Sequence, residues 1–282
     1  MNHSDGWKTL VDGDAADGVV LALDFDGTGR PEARFADLVA NLTGGGYSVW
    51  ESVQPDLAVA ERGPDGYRAH WMHRLLNEGP EIRAIFGFCA GAVYAADLAD
   101  GLAAAGGAQV PLVLFDPETV DADSLLFEFQ QAIGFMAGTI PGPEIDAYNE
   151  TAMRVRARHV DLRPLCDELL DLVREVGPPA LDRAGLSEEI RDELIGMLCS
   201  FMRYATAAGE IDPWARWSTA VVFTSNSPLS GLNSIRAARP TSSRIEVRHE
   251  ITVDADNRRI LADPAVARAV DELLAVNSHR DR

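Results

Sequence analysis

The chain has 282 residues, 46% of them apolar, with 25 basic against 44 acidic side chains and a formal net charge of −19. That length buries a large core, as one domain with an insertion or as two, and an acidic chain with no basic run is not built to bind nucleic acid. Cys89, Cys166 and Cys199 are too widely spaced for a disulfide framework or a zinc pattern, no apolar segment reads as a signal peptide, and none is long enough to span a membrane, so a reducing cytoplasm is the expected setting.

Residues 1–17 are polar and are expected to be a loose lead-in; they hold Lys8, the only lysine. Val19-Val20-Leu21-Ala22-Leu23 is a continuous apolar run of the buried-strand type. It ends in Asp24-Phe25-Asp26-Gly27-Thr28-Gly29, which has two readings. D-x-D-G-T after a strand resembles the first motif of the haloacid-dehalogenase phosphatases, which are magnesium-dependent. That resemblance implies Asp24 as nucleophile and Asp26 as acid/base. Val222-Phe223-Thr224-Ser225-Asn226 would then serve as the second motif, but no lysine follows it and Arg236 and Arg239 are weak substitutes. Alternatively the stretch is a glycine-rich turn whose backbone N–H groups face a nucleophile across the top of a sheet.

Phe35 to Leu42 has helical spacing and stops at Gly44-Gly45-Gly46, and Tyr47 to Val53 alternates like a strand. Gly66 to Leu76 is expected to be a helix; its His70 and His73 read as a solvated face rather than a metal site. Ile82-Arg83-Ala84-Ile85-Phe86 is a strand, Gly87-Phe88-Cys89-Ala90-Gly91 a G-x-C-x-G turn, and Ala92 to Leu98 a good helix former. Strand, G-x-nucleophile-x-G and helix is the nucleophile elbow of the α/β-hydrolases, here with sulfur in place of the usual serine oxygen. The strained turn needs small neighbours, and the helix that begins there aims free N–H groups at the sulfur, which favours thiolate.

Val110 to Phe115 is the next strand, ending at Asp116-Pro117. Residues 118–213 break the strand–helix rhythm with helical stretches near 122–136, 144–160, 162–176 and 187–208, separated by turns at Pro141-Gly142-Pro143 and Gly177-Pro178-Pro179. Their apolar residues (Phe127, Phe129, Phe135, Phe201 and Met202 among them) serve either a substrate pocket or their own core. Strands resume at 218–224 and 244–251, and Pro264 to Val276 closes the chain as a helix.

These stretches together resemble the thioesterases of polyketide and nonribosomal-peptide assembly lines, over residues 18–276. Phe25-Asp26-Gly27-Thr28-Gly29-Arg30 followed by Phe35 matches their F-P-G-x-G-G loop in spacing, with Asp26 for proline and Arg30 for the last glycine. The resemblance implies an α/β-hydrolase fold, with a mostly parallel central sheet in residues 18–117 and 214–282 and a helical lid inserted at 118–213. It implies Cys89 as nucleophile, Asp116 as orienting acid, and an oxyanion hole from the N–H groups of Ala90 and of Gly27 or Thr28. The family's histidine turn aligns with Asp254 to Leu261 and puts Asn257 where histidine belongs, so general-base activation is lost there. His249 and Asn257 are both candidates for the third place. Asp24 and Asp26 put negative charge near the site unless Arg30 pairs with one of them. The resemblance also implies a partner, an acyl or peptidyl carrier protein or its pantetheine-bound substrate, docking on an arginine patch around Arg154, Arg156 and Arg158. No metal, organic cofactor or membrane enters this reading. A degenerate hydrolase fold that only binds a ligand or partner is the alternative.

Overall fold

The computed structural model describes residues 6–27, 31–238 and 245–277. Thr28, Arg30 and Arg239 therefore lie outside the described residues. The chain divides into two compact units, one of Met1–Pro55, Asp65–Thr119 and Ile211–Arg282, the other of Asp56–Pro64 and Val120–Glu210.

The first unit is built on a sheet of the order β1-β3-β2-β4-β5-β6-β7. Its strands are β1 (Trp7–Val11), β2 (Val19–Leu23), β3 (Ser48–Ser52), β4 (Ile82–Phe88), β5 (Leu112–Phe115), β6 (Val221–Thr224) and β7 (His249–Thr252). All neighbours pair parallel except β1, which runs antiparallel on the β3 edge. β2 is buried at every position, as its unbroken apolar sequence requires in a parallel sheet covered on both faces. This is the α/β-hydrolase architecture expected from the sequence.

Helices α1 (Phe35–Asn41), α2 (Leu57–Ala60), α3 (Pro64–Glu78) and α4 (Gly91–Ala104) follow in chain order, and α2 belongs to the second unit. α4 is rich in alanine, so it lies close to the strands it packs on, β4, β2 and β5. Beside it Tyr67, Trp71 and Tyr94 form an aromatic cluster with ring centroids 5.1–5.4 Å apart. Elsewhere in the core, Phe35 and Phe86 both meet Phe115, and Phe115 stacks on Phe223 at 5.2 Å. These rings lock together the ends of β4, β5 and β6, where the candidate site sits. His73 on α3 is exposed and bonds Asn77, in keeping with a solvated face.

The second unit holds α5 (Ala122–Phe135), α6 (Gly142–Arg158), α7 (Leu162–Arg183) and α8 (Glu188–Gly209). It has its own core, in which Leu125, Phe129, Leu169, Val173 and Met202 are fully buried. Phe129 and Met202 thus belong to that core, whereas Phe127 and Phe135 are exposed. The arginines proposed for docking are already engaged: Arg156 pairs with Asp123 and Arg158 with Glu168, and Arg154 lies 3.8 Å from Glu150. The turn expected at Gly177-Pro178-Pro179 does not form, and α7 runs through it to Arg183. Proline inside a helix costs about 3 kcal/mol. Leu165, Leu169, Leu170, Val173, Val176 and Ala180 are buried along one face, each large side chain contributing roughly 1.5–3 kcal/mol. Gly177 also lets Ile195 of α8 approach to 3.2 Å from where a Cβ would stand. Packing therefore outweighs the local penalty.

The chain returns to the first unit with α9 (Trp214–Trp217), α10 (Gly231–Ala238), a 3-10 turn at Asn257–Ala262 and α11 (Pro264–Asn277). No helix among the described residues is long and apolar enough to cross a membrane.

From Gly6 onward the lead-in is not loose; residues 1–5 lie outside the described residues. β1 pairs with β3 in a register that sets Lys8 opposite Glu51, and the two side chains form a 2.7 Å ion pair. Trp7 is buried, and its indole N–H donates to the Trp71 carbonyl at 2.9 Å. Trp7→Ala is expected to lower the free energy of unfolding by about 3–5 kcal/mol, measured by chemical denaturation; a loss below 1 kcal/mol would mean that β1 adds nothing to the fold.

Candidate active site

The site lies where β2, β4, β5 and β6 end. β4 delivers Cys89 at φ +52°, a left-handed conformation that a non-glycine residue adopts only under constraint. Three features impose it. The Cys89 N–H donates to the Phe115 carbonyl on β5 at 3.1 Å, and its carbonyl accepts from the N–H groups of Ala92 (3.1 Å) and Glu118 (3.2 Å). A Cβ on Gly87 would lie 2.5 Å from the Ala92 Cα, and one on Gly91 would lie 2.1 Å from the Leu23 carbonyl oxygen. Both glycines of the G-x-C-x-G turn are therefore required by backbone contact.

Asp116 follows β5 at φ +40° and is fully buried. Its N–H donates to the Phe223 carbonyl at 2.9 Å. One carboxylate oxygen accepts from the Ser225 N–H at 2.8 Å, the other from the Asn257 side-chain amide at 2.9 Å. Asn257 is held from its own backbone, since its N–H donates to the Ser227 hydroxyl at 2.9 Å. The structure thus brings Asp116 and Asn257 together as an acid–amide pair. Gly231, at φ +55°, passes so close that a Cβ there would lie 2.7 Å from Asp116 Oδ1.

His249 is not brought to Cys89. It is exposed on edge strand β7, level with Val221, Val113 and Phe86 across the sheet, and so three strands away and below the elbow.

The residue that meets the sulfur is one that reading the sequence missed. Cys89 Sγ donates to Glu118 Oε2 at 3.2 Å. The other oxygen of Glu118 accepts the Gly231 N–H at 3.0 Å. The only sequence signal was a second carboxylate two positions after Asp116. Nothing local announced that the chain would turn through left-handed backbone at Asp116 and carry Glu118 back to the elbow.

The electrostatics correct the expectation of a thiolate. Burial pushes the Cys89 thiol well above its ordinary value, and the Glu118 carboxylate pushes it further. The Ala90 N–H pulls it down, but less, and Asp24 adds a smaller upward push. The thiol is therefore held protonated at neutral pH. Glu118 is itself raised, first by burial and also by the charges of Asp116 and Glu32; the Gly231 N–H and the thiol act in the opposite sense.

In the loop after β2, Asp24 is buried and its Oδ1 accepts the Phe25 N–H at 2.7 Å. The Gly27 N–H donates to the Phe25 carbonyl at 3.0 Å, so it is already bonded and does not face the sulfur as an open donor. Asp26 is paired with Lys8 and, at 3.2 Å, with Arg34; the expected pairing with Arg30 falls on a residue outside the described ones. Among the described residues no group of three or more His, Cys, Asp or Glu side chains is arranged to hold a metal ion. The phosphatase reading also loses its geometry: Asp24 and Ser225 end β2 and β6, which β4 and β5 separate.

No protein-family model matches the chain and no curated protein matches its sequence. Solved structures do match. One is the holo form of AB3403, a four-domain nonribosomal peptide synthetase bound to AMP and glycine, at 14% identity and a TM-score of 0.54, covering 95% of this chain and 20% of that one. A second is a loop variant of the haloalkane dehalogenase DbeA from Bradyrhizobium elkanii, at 16% identity and a TM-score of 0.50, covering 98% and 94%. A third is the NocB thioesterase domain in covalent complex with a fluorophosphonate nocardicin G analogue, at 14% identity and a TM-score of 0.49, covering 95% and 99%. The chain spans about a fifth of the synthetase's length. At these identities the likeness is one of fold.

Two outcomes follow from the site. Gly91→Ala is expected to destabilise by about 1–3 kcal/mol, because the methyl group meets backbone. Gly134→Ala, in α5 with nothing within 4 Å of its Cβ, is expected to stabilise by up to about 1 kcal/mol; equal melting temperatures for the two variants would refute the crowding at the elbow. Glu118 binds its proton more tightly folded than unfolded, so its contribution favours the fold at acid pH and is lost as pH rises through its raised pKa. In a pH series of denaturation curves, Glu118→Gln is expected to gain stability relative to wild type as pH rises from about 4.3, the ordinary glutamate value.

Proposed function

We propose that this chain processes acyl thioesters with Cys89 as nucleophile, as a thioesterase-like protein of natural-product biosynthesis. The observation that carries the reading is Cys89 itself, on a strained strand-to-helix turn with its Sγ hydrogen-bonded to a carboxylate. A thiol with no function does not require left-handed backbone and two glycines in contact with backbone to hold it.

In this reading the substrate is an acyl or peptidyl group carried as a thioester, on a carrier protein or its pantetheine. Sγ attacks the carbonyl carbon, and the Sγ–C bond forms as the thiol loses its proton. The carbonyl carbon's bond to the carrier sulfur then breaks, and that sulfur leaves as a thiol once protonated. The acyl group remains on Cys89 as a new thioester and passes to water, an amine or a hydroxyl. The Ala90 N–H, which already faces the sulfur, is the donor for the oxyanion. Asp116 orients Asn257 rather than an imidazole. The likeness in fold to a nonribosomal peptide synthetase agrees with this assignment.

A second reading is a protein of the same fold that binds a ligand or partner without turnover. It is favoured by the amide at Asn257, which takes no proton at neutral pH, and by the bonded N–H groups of Phe25 and Gly27.

Intact-protein mass spectrometry after incubation with short acyl thioesters separates the two. The expected result is an acyl adduct in the wild type that maps to Cys89, not to buried Cys166 or Cys199, and is absent in Cys89→Ala. If no adduct forms and no thioester is consumed at any chain length, the second reading replaces the first.

A further inference from the structure

We infer that Glu118 is the catalytic base of this site, taking the proton of the Cys89 thiol in the role that a histidine fills in a Ser-His-Asp or Cys-His site. This rests on the nucleophile reading of Cys89 given above.

The geometry singles out one carboxylate. Glu118 Oε2 accepts from Sγ at 3.2 Å, while the Gly231 N–H at the start of α10 holds Oε1 at 3.0 Å. The Glu118 N–H donates to the Cys89 carbonyl, so backbone and side chain are both clipped to the elbow. Other acids and bases nearby are engaged or distant. Both oxygens of Asp116 are taken by Ser225 and Asn257, Oδ1 of Asp24 is on the Phe25 N–H, and Asp26 faces Lys8 and Arg34. His249 lies on the far edge strand, and Asn257 has no basic lone pair.

The charge balance makes the transfer feasible. Cys89 faces Glu118 and Asp24; Glu118 faces Cys89, Asp116 and Glu32. The pair carries a single negative charge whichever atom holds the proton. Moving the proton from Sγ to Oε2 therefore shifts that charge by one hydrogen-bond length without adding a second. As Sγ bonds to the carbonyl carbon, the proton passes to Oε2. When the carbonyl carbon parts from the leaving sulfur, Oε2 returns the proton to it, giving a neutral thiol and an ionised Glu118. Burial, and after it the charges of Asp116 and Glu32, raise Glu118 above the ordinary glutamate range, which makes it a stronger proton acceptor.

The test compares wild type with Glu118→Gln, whose amide oxygen still accepts the Gly231 N–H; circular dichroism and the melting temperature check the fold. The rate of Cys89 acylation by a short acyl thioester is read by intact mass from pH 5 to 9. The expected result is a wild-type rate that rises with pH through one ionisation and levels off, and a variant roughly 100-fold or more slower at pH 7 that gains rate only in alkali. A variant as fast as wild type or faster, with its profile moved to lower pH, would overturn the inference: Glu118 would then be a charge that merely suppresses the thiolate, and Cys89 would stand as nucleophile without it. Should neither protein acylate, alkylation by iodoacetamide decides. Slower alkylation of Cys89 in Glu118→Gln keeps the base and discards the thioester reading, while faster alkylation discards the base.

Discussion

The approach of Gly91 to the Leu23 carbonyl sets the rest of the first unit. There is no room for a methyl group where α4 begins against the end of β2, so the helix starts at the sheet surface and the preceding turn has to be tight. That tightness forces left-handed backbone on Cys89 and lifts its side chain clear of the strand. It also brings the buried Asp24 within electrostatic reach of the sulfur. The aromatic rings of Phe86, Phe115 and Phe223 hold β4, β5 and β6 in register beneath, so the turn has a rigid base.

The same crowding brings acids to one place. Asp24, Asp116 and Glu118 come from the ends of two strands and the turn that follows, and each accepts a backbone N–H. A serine hydroxyl there would have little prospect of losing its proton. If Cys89 is the nucleophile as proposed, sulfur is the better fit, because its proton is held less tightly and the carboxylate beside it can accept it. That no imidazole among the described residues meets the thiol and that the site carries sulfur are in this view one adaptation. Asp116 keeps its orienting geometry but applies it to an amide, which it fixes without activating.

Much of the fold was legible in the sequence. Buried parallel strands read as unbroken apolar runs, and β2 matches its expected bounds residue for residue. Helices with one apolar face were equally plain. What escaped depends on partners distant in sequence. β1 is short and polar in appearance, and only its pairing with β3 and the burial of Trp7 make it a strand. α7 crosses two prolines because its continuing apolar face has a core to meet. In the site, the elbow could be read because its glycines are a local signature. Family spacing offered Asn257 and His249 as alternatives for the third place, and it is the Asn257 amide that lies on Asp116. Glu118 could not be read, since its place depends on a positive φ at Asp116 and on a donor from Gly231.

Lys8 has a use beyond balancing Asp26 and Glu51. It is the chain's only lysine, so amine-directed chemistry has one side chain to find besides the N-terminus. Burial draws its pKa down, but its bonds to Asp26 and Glu51 outweigh that and the net shift is upward. The neutral amine that such reagents need is therefore scarce while the two carboxylates hold it. Labelling of Lys8 becomes a natural gauge of the contact between β1, β3 and the loop after β2: its rate reports how often Asp26 and Glu51 together release the amine, without a single engineered residue.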